Sequence, residues 1–208
     1  MDIAFLMDSS ASIGEYGYQK MKAFVKAVAN TFDIGPGRTC AGVIIYGSTA
    51  TTVVRFPDAS SNEIFNAAVD ALPYIQGKTR IDKAFQLAYS ELLSHRSGAR
   101  KGVAKVVIVL TDGRQSKTPD GIDLQKAVAP LLSAGIRVFA VGIGEEVDEK
   151  ELQLIVDKKE DAILVPSYDG LAERARQLSI ATCESSGIVN LRAPFFHDRV
   201  SGGTGCKN

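Results

Sequence analysis

Short runs of branched apolar residues alternate with segments of helical period along most of this chain, and that alternation leaves few folds open. Ile3 to Met7 reads as a buried strand, and Met21, Phe24, Val25, Val28, Ala29 and Phe32 then recur on one helical stripe. Ala41 to Tyr46 and Thr51 to Phe56 are two strands separated only by a Gly47-Ser48 turn. They are too close for a helical crossover, so they predict an antiparallel hairpin. Asn62 to Ala71 is a helix, Pro73 to Lys78 a loop, and Ile81, Ala84, Phe85, Ala88 and Leu92 mark the next helix. Val103 to Leu110 is the most apolar run, without alternation, as a central parallel strand covered on both faces requires. Leu124 to Leu132 is helical, with Pro130 expected to kink it and Gly135 to cap it. Ile136 to Val141 is a strand, Asp148 to Val156 a helix, Ala162 to Val165 a short strand and Tyr168 to Thr182 the last helix. The order βαββααβαβαβα predicts a doubly wound α/β fold. Its sheet is six-stranded and mostly parallel, with one antiparallel edge strand and helices on both faces.

The 208 residues suffice for one sizeable domain, assigned here to residues 1–184. Residues 185–208 lack sustained periodicity, carry Gly202-Gly203-Thr204-Gly205 and read as a tail or linker. Lys plus Arg and Asp plus Glu are 24 each, so the charge is balanced, and the basic excess of a nucleic-acid binder is missing. No apolar run approaches the ~18 residues of a membrane span. Met1 leads straight into Asp2-Ile3-Ala4-Phe5, with neither a basic start nor a cleavage site. The expectation is a module cut from a longer chain with neighbouring modules. Cys40, Cys183 and Cys206 form no CxxC pair, which argues against structural zinc. An odd count leaves open one disulfide with a further thiol, or three free thiols.

In a doubly wound sheet, ligands bind beyond the carboxyl ends of the strands. Three nucleotide or phosphate readings fail there. Gly142-Ile143-Gly144-Glu145-Glu146-Val147 lacks the third glycine and would set two carboxylates against a pyrophosphate. Gly77-Lys78-Thr79 ends like a phosphate loop, but the earlier glycine position is Leu72 and no strand precedes it. A phosphotransfer aspartate would need DxD after the first strand, where Ser10 stands. Ser10 is not in GxSxG, and His95 and His197 lie at a helix end and in the tail. No general base is therefore evident, and the chain is read as no enzyme. What remains coherent is a set of hard oxygens: Asp8, Ser10 and Ser12 from one turn, Thr79 at a helix start and Asp112 after the central strand. Each alone would be an ordinary cap or turn residue. Together they share one end of the sheet, and two carboxylates with three hydroxyls suit Mg²⁺ or Mn²⁺ better than a tight Ca²⁺ cage.

Asp8-x-Ser10-x-Ser12, Thr79 and Thr111-Asp112-Gly113 resemble the metal-ion-dependent adhesion site of von Willebrand factor type A domains, with all five metal positions present. The similarity runs to about Glu184 and includes Gly42 to Gly47, Arg55-Phe56, Thr79 to Ala84 and Ile136 to Gly144. The resemblance implies a Rossmann-like sandwich with the site at its top. It also implies direct ligation by Ser10 and Ser12, ligation mostly through water by Asp8 and Asp112, and Thr79 binding directly or through water. The family's usual cysteine before the first strand is missing, which leaves Cys183 without its ordinary partner. Cys40 and Cys183, both expected at the bottom of the sheet, are the candidate disulfide. The alternatives are a Cys183–Cys206 bond or a free Cys183.

The function this implies is adhesion: an extracellular matrix or cell-surface module that binds a protein through an under-neutralised cation whose open position an acidic side chain of the partner fills. Exposed residues around the site, Glu15, Tyr16, Arg80, Arg114, Gln115 and Glu145, are expected to form the ligand rim. The alternative is an intracellular scaffold of the same family that assembles a multiprotein complex.

Overall fold

The computed structural model describes residues 1–185; the expected tail, with His197 and Cys206, lies outside the described residues. Six strands form one sheet: β1 (Asp2–Asp8), β2 (Cys40–Tyr46), β3 (Ala50–Val54), β4 (Lys105–Thr111), β5 (Arg137–Ile143) and β6 (Ala162–Val165). Their order is β3-β2-β1-β4-β5-β6. Every neighbouring pair is parallel except β2 and β3, the hairpin that the short Gly47-Ser48 connection requires. The helices are α1 (Gly14–Ala29), α2 (Asn62–Asp70), α3 (Ile81–Leu87), α4 (Leu124–Ser133), α5 (Glu149–Gln153) and α6 (Leu171–Ser185). A five-residue π turn, Ala88–Leu92, prolongs α3. The α4 helix runs past Pro130 to Ser133, and Gly135 just beyond it takes the left-handed conformation (φ 71°) that ends helices.

The pleat sorts the apolar residues into two cores. Ile3, Phe5 and Met7 of β1, with Val106, Ile108 and Leu110 of β4, face a layer made by α1, α2 and α6. Ala4, Leu6, Val107 and Val109 face the opposite layer, which Phe85 of α3, Val128 and Leu131 of α4 and Leu152 of α5 complete. A strand buried on both faces has no polar side to show, which is why the central run reads as unbroken Val, Ile and Leu. On α6 the buried stripe is Leu171, Ala175, Leu178, Ser179 and Thr182. No helix among the described residues is long and apolar enough to cross a membrane.

Cys40 is a free thiol, half-buried at the start of β2. The expected Cys40–Cys183 disulfide is therefore not formed; Cys183 is nonetheless not without a partner. Sharing one end of a sheet does not by itself bring two β-carbons within bonding reach.

Candidate functional site

The strand order reverses on either side of β1, so the crevice between the carboxyl ends of β1 and β4 is the topological switch point. Asp8 is the last residue of β1, and Asp112 follows the last residue of β4. Asp8 is fully buried. Its carboxylate accepts the Ser10 N–H (2.8 Å) and the Thr111 hydroxyl (2.8 Å). The Ser10 and Ser12 hydroxyls lie 3.2 Å apart, and the Ser12 hydroxyl donates to Asp112 Oδ1 at 2.9 Å. The other Asp112 oxygen accepts the Tyr168 hydroxyl at 2.9 Å. The set is graded from inside to outside: Asp8 and Ser10 are buried, Asp112 is half-buried, and Ser12 is exposed at the mouth. Thr79 is 7% exposed and joins through its backbone. Its N–H donates to the Ser116 hydroxyl (3.1 Å), and its carbonyl accepts the Ser116 N–H (2.9 Å) in the same loop that begins with Asp112.

Two loops hold these side chains. Beyond β1 the chain turns sharply through Ser9–Ile13, and the 73–78 loop braces that turn. The Tyr74 hydroxyl bonds the Ser10 carbonyl (2.9 Å) and accepts the Gly14 N–H (3.0 Å). The Ile75 N–H donates to the Ser9 hydroxyl, and the Ala11 N–H donates to the Gly77 carbonyl. The brace fits against the end of β2 because Gly47 has no side chain: a β-carbon there would sit 2.2 Å from the Gln76 carbonyl oxygen. Tyr74 and Tyr168 are parts of the site that motif spacing does not reveal, whereas Thr111 carried a signal inside Thr-Asp-Gly. Tyr74 sits in a loop, and Tyr168 in the short helical turn that leads into α6.

Among the described residues, every donor that reaches the two carboxylates is neutral: one N–H and three hydroxyls. Burial pushes the Asp8 carboxyl up to about 7. Hydrogen bonds from Ser10 and Thr111 oppose the shift, and the Asp112 charge adds to it. Burial, with the nearby Asp112 and Asp8 charges, also pushes the Tyr168 phenol up, so it stays a donor. The site is thus a crevice rich in oxygen, and among the described residues no side-chain cation hydrogen-bonds to its carboxylates. Among the described residues there is no group of three or more His, Cys, Asp or Glu that could hold a metal ion.

Of the six expected rim residues, four are exposed: Glu15, Tyr16, Arg114 and Glu145. The Tyr16 hydroxyl donates to Asp169 (2.8 Å), and Arg114 lies 3.6 Å from Asp148. Two expectations are overturned. Arg80 is 3% exposed and makes a two-pronged ion pair with the fully buried Asp82. Gln115 is half-buried, and its side-chain oxygen accepts the Ile81 and Asp82 N–H groups at the start of α3. Neither residue offers its polar atoms to a ligand.

Comparison with known proteins agrees with this architecture. The family model described as the von Willebrand factor type A domain matches residues 2–176. The human von Willebrand factor A domain-containing protein 2 is 30% identical over 93% of this chain and 25% of its own length. Mouse matrilin-1 is 31% identical over 90% of the chain and 37% of its own length. The chain thus spans well under half of these relatives. A structure of proximal thread matrix protein 1 from the mussel byssus, with a zinc-occupied MIDAS motif, superposes with a TM-score of 0.80. It is 30% identical and is matched over 88% of this chain and 45% of that one. The shared sheet topology and the match over most of its length place this chain in the von Willebrand factor type A domain family.

Proposed function

We propose that the chain is a non-enzymatic adhesion module of the extracellular matrix or cell surface. In this reading Asp8, Ser10, Ser12, Thr79 and Asp112 hold one Mg²⁺ or Mn²⁺, and a partner protein completes the site with an acidic side chain. The observation that carries it is the pair of carboxylates at the switch point whose donors are all neutral. A fully buried carboxylate such as Asp8 ordinarily keeps its charge beside a cation. The donor set is hard oxygen with few charges, which fits Mg²⁺ or Mn²⁺ with retained waters. The bound cation supplies a Lewis-acidic position for a carboxylate oxygen of the partner. Asp8 contributes negative charge from below without reaching the surface, while Ser12 and Asp112 line the mouth where a partner arrives.

Glu15, Tyr16, Arg114 and Glu145 are proposed as the rim that selects the partner. Residues 1–184 are the domain and 185–208 a linker to neighbouring modules of a longer chain. The matrix character of matrilin-1 and of the byssal thread protein supports the extracellular setting. The test is capture of proteins from an extracellular-matrix extract on the immobilised chain, with and without EDTA. Capture that EDTA abolishes, and that Asp112→Ala reduces to the same level, is the expected outcome. Capture indifferent to both would overturn the reading.

A further inference from the structure

Arg80 and Gln115, which the sequence places on the rim, converge instead on one buried group. Asp82 is fully buried in the first turn of α3. One of its oxygens accepts Arg80 Nε (2.8 Å) and Gln115 Nε2 (2.5 Å). The other accepts a second Arg80 nitrogen (2.8 Å) and the Ile122 N–H (3.0 Å). Arg80 reaches on to the Asp120 carboxylate (2.9 Å) and carbonyl (3.1 Å), and Gln115 turns its oxygen back to the Ile81 and Asp82 N–H groups. Residues 112–123, between β4 and α4, form a long irregular loop, yet they are stitched to the start of α3 at Gln115, Ser116, Asp120 and Ile122.

That seam joins the two segments that deliver Thr79 and Asp112. Thr79 lies three residues before Asp82, and the Ser116 clasp on Thr79 lies next to Gln115. A buried ion pair is weak evidence for stability, because desolvation cancels much of its attraction. Its geometric consequence is stronger: a carboxylate with four directed donors admits one register between the two segments. We propose that Asp82 is a positioning residue for the metal site, holding Thr79 and the Asp112 loop in the spacing a small cation demands. This inference rests on the metal reading above. Mg²⁺ demands near-octahedral spacing, and Mn²⁺ at this site would depend on the same oxygens, so a slackened seam weakens cation binding even in a folded domain.

Two variants separate this role from support of the fold. Arg80→Met with Asp82→Leu replaces the pair by apolar groups of similar size and leaves no lone buried charge. Gln115→Ala removes one bridge between Asp82 and the loop, with the cap on the Ile81 and Asp82 N–H groups, from a half-buried position, and leaves the Arg80–Asp82 pair and the Ile122 bond in place. Mn²⁺ binding is measured by calorimetry well below each variant's melting temperature, beside wild type and Asp112→Ala. The expected result is cooperative melting for both variants with Mn²⁺ affinity weakened about tenfold or more, while wild type binds and Asp112→Ala does not. Folded variants that bind Mn²⁺ within about twofold of wild type would overturn the proposal and leave the metal site standing. If the double variant does not fold, Gln115→Ala decides by the same criterion. No Mn²⁺ binding by wild type would overturn the metal reading itself.

Discussion

A carboxylate taken out of water needs either a cation or several donors, and the buried aspartates of this chain divide along that line. Asp2, Asp82 and Asp161 each meet an arginine through two nitrogens: Arg100 at 2.9 and 2.7 Å, Arg80 at 2.8 and 2.8 Å, and Arg137 at 2.8 and 2.7 Å. Asp8, equally buried, meets only neutral donors. The contrast predicts different behaviour in acid. Burial alone would raise Asp82, but hydrogen bonds from Arg80, Ile122 and Gln115 outweigh it and hold the carboxyl at about 2, below its ordinary 3.8. A folded-state value below the unfolded one stabilises the fold fully above pH ~4, and that contribution disappears as pH falls through ~2. The shift corresponds to roughly 2 kcal/mol. Urea titrations at pH 5 and pH 2 should therefore show wild type losing about that much more stability than the Arg80→Met/Asp82→Leu variant. Equal losses would mean that the pair carries no charge-dependent stability. The roles of Arg80 and Gln115 were not legible in the sequence for the same reason. An arginine and a glutamine beside a binding motif look like rim residues until Asp82 is placed against a loop some 30 to 40 positions later.

At the scale of elements, α1 and α6 lie side by side, and the turn into α6 reaches the site. The Tyr168 ring lies directly on Gly17 of α1: a β-carbon at Gly17 would fall 2.5 Å from Cζ and under 3 Å from both adjoining ring carbons. The same tyrosine donates to Asp112, while the neighbouring Asp169 accepts from Tyr16 and pairs with Lys20 at 2.8 Å. Gly17→Ala must displace the ring. The expected cost is about 1–3 kcal/mol, read as a lowered urea midpoint. Measured against Tyr168→Ala alone, Gly17→Ala should cost much less, because the three nearest atoms that its β-carbon would meet all belong to that ring. An undiminished midpoint in Gly17→Ala would show that the ring does not pack as described. Elements of this kind divide cleanly in what sequence can tell. The strands and long helices were legible because burial on one or two faces imprints a period of 2, 3.6 or none on contiguous residues. The Gly17–Tyr168 contact and the Tyr74 brace were not, since each joins single loop or helix residues 60 to 150 positions apart and leaves no local pattern.

For the whole molecule, the sheet's reversal at β1 sets where the chemistry collects, and the oxygen residues at that crevice were legible because Asp8-x-Ser10-x-Ser12 and Thr111-Asp112-Gly113 are compact motifs at strand ends. That Cys40 stays a free thiol was not legible, because connectivity depends on β-carbon separations that three scattered cysteines do not encode. The crevice is proposed as a cation site built from the chain's own oxygens, with Asp112 at its mouth and Asp8 beneath. That proposal is tested most directly by titrating Mn²⁺ into metal-free wild type and Asp112→Ala by calorimetry, with circular dichroism to establish that both are folded. One saturable site in wild type and its loss in Asp112→Ala, with the fold intact, are the expected results. Equal Mn²⁺ affinity in the two proteins would contradict the proposal.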